Sequence, residues 1–293
     1  MGRKNLWESF VEKLIFIGGI SGIVILFLIF LFLLKESFQF FFKYPLKDFF
    51  MGLSWYPTNE PPKFGLLPLL FGSFLVTIGA ILISVPLGLA CAIYISEVAP
   101  LSVKEILKPL MELIAAIPSV VLGFIGLMVL VPWIKEIFNL PTGQSALAGS
   151  ITLAFMVLPT ITSIAEDALT ALPRDYKEAS LALGATHWQT IYRVLLPAAK
   201  PGILAAVMLG LGRAIGETMA VLMVTGNAAI IPHSFLQPVR TMTATIAMEM
   251  GEIVQGSLHY RALFAIGLLL FIITFAINFI ADWVIQRQRR MSK

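Results

Sequence analysis

Arg213 and Glu217 stand four residues apart in the apolar run GLGRAIGETMAVLMV. In a helix that spacing puts both side chains on one face within a single turn. Two chemistries are open to them. The pair can neutralise itself and hold helices together, or the guanidinium can meet an anion through bidentate hydrogen bonds, as a pathway site. A charge near the centre of a bilayer costs about 2.5–3.5 kcal/mol on insertion scales, so either reading points the pair at protein or a watery cavity. Gly212 and Gly216 flank it at Gly-x-x-x-Gly spacing, which predicts close approach of another helix and fits both readings.

A second mixed stretch, EASLALGATHWQTIYRVLLPAAKP, runs from Glu178 to Pro201. Pro173 suits a first helical position, and Arg174 to Leu183 contains no breaker before Gly184, a residue that can end a helix in a left-handed turn. Thr186 and Gln189 have capping-box spacing and open a second helix from His187 to Leu196, with Pro197 after it. Helices of about ten residues cannot span a membrane, which takes roughly 20. Trp188, Ile191 and Leu195 on the second, and Ala179 and Leu183 on the first, form apolar stripes at helical spacing. Lipid, the chain itself or a partner must cover them.

Several other chemistries are excluded. Cys91 is the single cysteine and lies in an apolar run, so neither a disulfide nor a cysteine metal site is available. His187, His233 and His259 are far apart and show no metal-ligand spacing. No glycine is followed by lysine, so the chain lacks a Walker A loop and cannot be an ATP-hydrolysing motor. Lys and Arg are dispersed through short loops, which argues against nucleic acid and for lipid headgroups as the reason for the net charge of +4. Thr241, Thr245, Glu249 and Glu252 share a face if RTMTATIAMEMGE is helical; that face is solvated, lines the external entry or contacts a binding protein.

The elements that position these groups are membrane spans. The chain has 293 residues, 58% hydrophobic and 13% charged, with a mean hydropathy of +0.89, outside the range of soluble domains. Six stretches are long enough to cross: about Leu14 to Leu34, Leu66 to Ile95, Leu110 to Val131, Ala146 to Ala165, Ile203 to Thr225 and Ala262 to Ile285. The first is too long for a signal peptide and is read as a retained span. Thirteen of the 21 basic residues fall on the side of the termini and the 166–200 loop, Arg3, Lys4 and Lys293 among them. The positive-inside rule therefore makes both termini and that loop cytoplasmic. The division is residues 1–65, a span and an external loop resting on the interface through Trp55 and Tyr56; 66–286, a five-span core; and 287–293, a basic tail.

Glu178, Ala179, Gly184, Leu196 and Pro197 reproduce the spacing of the EAA motif, and the segment resembles the permease subunits of ABC importers. Ser180 and Val194 depart from it conservatively. RAIGETMAV, together with LPLLFGSFLVTIGAILISVPLGLACAIYISEVAP and IPSVVLGFIGL, looks like the phosphate-importer permeases PstC and PstA from about Leu66 onward, and the extra first span and RTMTATIAMEMGE look more like PstC. The resemblance implies an all-α membrane protein of six helices with the type I (MetI-like) importer fold, in the inner membrane. It implies that Glu178, Ala179, Gly184, Leu196 and Pro197 couple to an ATPase, and that Arg213 and Glu217 line the phosphate pathway. It further implies a second, PstA-like permease, a PstB-like ATPase dimer that uses ATP and Mg, and a PstS-like external phosphate-binding protein, with no cofactor on this chain. A molybdate or sulfate permease, an ATPase-independent channel or carrier, and a membrane scaffold for a signalling kinase are the competing readings.

Overall fold

The computed structural model describes residues 6–291; Arg3, Lys4 and Lys293 lie outside the described residues. Its helices are α1 (Leu6–Phe41), α2 (Leu46–Met51), α3 (Leu67–Ile93), α4 (Leu101–Ala115), α5 (Ser119–Ile125), α6 (Val131–Ile137), α7 (Ala146–Thr170), α8 (Arg174–Ala182), α9 (His187–Thr190), α10 (Leu196–Gly216), α11 (Met219–Val224), α12 (Met242–Glu249) and α13 (Leu258–Met291). A short antiparallel pair, β1 (Trp55–Tyr56) and β2 (Lys63–Phe64), joins α2 to α3. Six helical stretches among the described residues are long and apolar enough to cross a membrane.

α7 is the central helix. The apolar window of α7 is 61% buried, whereas that of α1 is 0% buried, so α1 lies on the rim. Close approach to α7 depends on small residues and hydroxyls. Ser150 and Thr162 donate to the carbonyls of Val76 and Gly88 on α3. On α10, Ala206, Gly210 and Ala214 are buried at four-residue spacing, and a Cβ at Gly210 would sit 2.8 Å from Ile161 and 2.9 Å from Val157. This stripe, rather than Gly212 and Gly216, carries the packing: added Cβ atoms there would meet only Asn278 at 3.7 Å and nothing within 4 Å, respectively.

Two spans differ from the expected stretches because each is broken. Leu110 to Val131 is not one helix: α4 ends at Ala115, and Pro118 (φ −57°, ψ 137°) stands outside the helical region before α5 begins. Ile203 to Thr225 breaks at Glu217, whose backbone is extended (φ −68°, ψ 134°), before α11 resumes. The second short helix of the polar segment, by contrast, does not stop at Pro197. It passes through a π turn, Ile191–Leu195, directly into α10. Pro197 cannot donate a backbone hydrogen bond, and a wider i→i+5 turn just before it accommodates that loss. The same arrangement recurs at Gly126–Leu130 before Pro132.

At the end opposite Glu178, the 42–65 segment is a packed cap. Phe40, Phe49, Trp55 and Phe64 are buried together against α13, and α1 meets α13 through Phe30–Phe271 and Phe32–Phe264 ring contacts. Trp55, expected to rest on the interface, is 2% exposed, while Tyr56 stays half exposed. A buried indole N–H needs a hydrogen-bond partner, and Trp55 has one: it donates to Glu249.

Candidate functional site

Arg213 lies one turn before the break in α10 and faces the break between α4 and α5. Its guanidinium donates to Thr160 Oγ1 on α7 at 2.7 Å and to the Ala115 carbonyl at the end of α4 at 3.4 Å. The α4 carbonyls lose helical partners where Pro118 stops the helix, so one is free to accept. Thus three elements converge on one half-buried cation. Its partners among the described residues are a hydroxyl and a carbonyl, so no carboxylate neutralises it there.

Glu217 does not pair with Arg213 because the helix that would align them ends between the two. Its Oε1 instead accepts from the Ala220 amide at 3.1 Å, capping the first turn of α11. A carboxylate is favoured there by the free N–H groups and the helix dipole. Thr243 on α12 donates to the Glu217 carbonyl at 2.8 Å, satisfying the broken backbone. Beyond the breaks α5 and α11 lie side by side, with Gly123 directly over Ala220. Arg213, Thr160 and the Ala115 carbonyl are therefore brought together, and Glu217 shapes the break beside them. Thr160 was not visible from sequence spacing; a hydroxyl three turns before the end of α7 carries no local signal of its partner.

The Glu178 segment forms the expected joint. Gly184 adopts φ +83°; its amide donates to Leu181 and that of Ala185 to Ser180, a Schellman closure of α8. Thr186 caps α9, and Gln189 returns the bond in a full capping box. Ser180, the departure from the motif, is buried and meets Thr190 at 3.0 Å. The second apolar stripe divides. Ile191 and Leu195 are buried with Leu169 and Ala199, whereas Trp188 is 66% exposed, with Tyr192 and Leu183 exposed beside it. Glu178 and Ala179 face outward, and Leu196 and Pro197 open α10.

Charges at the same end tie the segment to the spans. Lys177 pairs with Glu97 at 2.7 Å. Glu166, 2% exposed at its side chain, accepts from Lys104 at 2.9 Å and from Lys108 at 2.7 Å, and Lys108 also reaches Asp167. Lys108, on α4, titrates above the ordinary lysine range because it donates to Asp167 and Glu166, which outweighs its partial burial. Lys104 and Lys108 sit one turn apart, so one face of α4 is held to the end of α7.

At the opposite end, Thr241 caps α12 and Thr245 is fully buried, so the Thr241–Glu249 face points inward rather than to solvent. Glu249 accepts from Trp55, Arg240 and His259 and joins the cap, α12 and α13. Helical spacing showed the face but could not show which side it turns to. Glu252 falls beyond α12 and is exposed.

Residues 84–290 match the family model described as binding-protein-dependent transport system inner membrane component. The chain is 47% identical over 242 residues to the probable ABC transporter permease protein YqgH of Bacillus subtilis (strain 168), covering 83% of this chain and 78% of that one. It is 39% identical over 259 residues to the phosphate transport system permease protein PstC of Mesorhizobium japonicum, covering 82% and 78%. Among solved structures, it is similar to a bacterial ABC transporter involved in the import of alginate (TM-score 0.64, 18% identity, 98% and 99% covered). It is also similar to the inward-facing MetNI methionine ABC transporter (TM-score 0.56, 23% identity, 76% and 94% covered). The fold is that of MetI-like ABC importer permeases.

Proposed function

The chain belongs to the family of binding-protein-dependent transport system inner membrane components, and on that premise we propose that it is the multi-pass inner-membrane permease subunit of an ATP-driven importer of inorganic phosphate. PstC relatives from bacteria and an archaeal probable PstC, 31–39% identical over most of the chain, support phosphate as the cargo. The Glu178 end faces the cytoplasm, as the excess of basic residues there favours. Both termini lie on that side.

The observation that carries the reading is Arg213: a half-buried cation between two broken helices, held by a hydroxyl and a carbonyl. Both partners are neutral and exchangeable, so an arriving oxyanion can take their place through the guanidinium fork. Bonding to neutral groups rather than to a carboxylate suits a transport site, where the anion must leave again. Glu217 keeps the break open by capping α11.

Energy enters at the other end. Glu178 and Ala179 on α8, with exposed Leu183 and Trp188, dock into a cytoplasmic ATPase dimer that uses ATP and Mg. ATP-driven closure of that dimer moves the joint, and Leu196 and Pro197 pass the motion into α10 and Arg213. A second permease completes the pathway, and an external binding protein delivers phosphate at the Trp55 end. This chain itself catalyses no reaction and binds no cofactor.

Uptake by the reconstituted complex tests the site. Arg213→Gln is expected to abolish ATP-dependent phosphate uptake, and Arg213→Lys, which keeps charge but loses the fork, to retain part of it. Unchanged uptake by Arg213→Gln would remove Arg213 from the pathway.

A further inference from the structure

Helix α8 exposes Glu178 and Ala179, so any motion delivered there must pass inward through the helix's own attachments. Among the described residues, its side chains make two hydrogen-bonded attachments to other elements. Ser180 meets Thr190 on α9, and α9 continues without a break through its π turn into α10 and so to Arg213. Lys177 donates to Glu97 at 2.7 Å across 80 residues of sequence. Glu97 lies in the π turn Tyr94–Val98 that ends α3, and α3 is bonded along its length to α7, the helix that carries Thr160. The two attachments therefore lead to the two partners of one hydrogen bond, Arg213 to Thr160.

We propose that the Lys177–Glu97 ion pair is a positioning strut that turns movement of the docking helix α8 into displacement of α3 and α7 against α10, and so sets whether Thr160 holds or releases Arg213. The inference rests on the proposed transport function and adds residues outside the EAA spacing to it. The Glu97 side chain is 10% exposed and Lys177 is 38% exposed. A carboxylate that buried is costly to leave alone, which commits it to this lysine. Reversing one charge leaves Glu97 without its partner and costs stability as well as coupling, so Lys177→Arg and the double charge exchange are the variants that separate the two.

The complete complex, with both permeases, the ATPase and the binding protein, is reconstituted in proteoliposomes. Phosphate transported per ATP hydrolysed is measured for Lys177→Glu, Glu97→Lys, the double charge exchange and Lys177→Arg, with ATPase copurification read in parallel. Each single reversal is expected to lower the ratio about tenfold or more with the ATPase still bound, while the double exchange and Lys177→Arg return to within about threefold of the unaltered protein. Unaltered ratios in the single variants, or a double exchange no better than either single, would overturn the strut. Loss of the ATPase from the single variants would also overturn it, because the pair would then serve docking rather than transmission. An unaltered complex that takes up no phosphate would overturn the transport function and the strut with it; failure confined to the variants counts against the strut alone.

Discussion

Gly184 offers a perturbation whose size follows from geometry. At φ +83° it closes α8, and an added Cβ would meet nothing within 4 Å, so substitution is charged only to the backbone. The left-handed region costs a non-glycine residue about 1–2 kcal/mol, offset by about 0.4–1 kcal/mol from the stiffer unfolded chain in Gly184→Ala. A net cost near 1 kcal/mol corresponds to about a fivefold change in an equilibrium. In the proposed docking role the ATPase holds this turn, and because α8 itself buries only Ser180, the cost is expected to appear in docking. Titration of purified ATPase against the permease pair in nanodiscs should give affinities falling in the order Gly, Asn, Ala, Val, with Ala about fivefold weaker than Gly. Asn leads the variants because it tolerates the left-handed region, and branched Val tolerates it least. Equal affinities for Gly, Ala and Val, or Asn binding worse than Ala, would refute the idea that this turn is held in the docked state.

Trp188→Ala should weaken ATPase binding by about 2 kcal/mol, roughly thirtyfold, without altering the permease's far-ultraviolet circular dichroism, since the indole is 66% exposed in this chain. Gly210→Ala must displace Ile161 or Val157 and should lower stability by about 1–3 kcal/mol, read as an earlier thermal transition in detergent, while Gly216→Ala leaves the transition unchanged. Glu249→Gln removes the charge that Arg240 and His259 share and should cost about 1–3 kcal/mol; faster tryptic cleavage at Lys63 would report the loosened cap.

Apolar length and caps were legible because they are local. The six spans follow from runs of apolar residues, and the joint at Gly184 from a glycine and a capping box three residues wide. Helix breaks were less legible. Ala116, Ile117 and Glu217 are as compatible with a helix as their neighbours, and only Pro118 marks either break. Packing faces were partly hidden too, since Gly-x-x-x-Gly spacing indicated Gly212 and Gly216 when the buried stripe is Ala206, Gly210 and Ala214. The partners of Arg213, Glu97 and Glu249 lie between 9 and 194 residues away from them, and no local pattern encodes such distances. The sequence singled out Arg213 and Glu249 but not Glu97; tertiary structure decided what all three touch.

The central claim is that this permease carries phosphate at the expense of ATP hydrolysed by a docked partner. Its most direct test is uptake of labelled phosphate by the complete complex in proteoliposomes, with and without enclosed ATP, against excess unlabelled phosphate, sulfate or molybdate. Phosphate should accumulate only with ATP, and only unlabelled phosphate should compete. Uptake without ATP or the ATPase, or uptake of sulfate or molybdate in place of phosphate, would contradict the account.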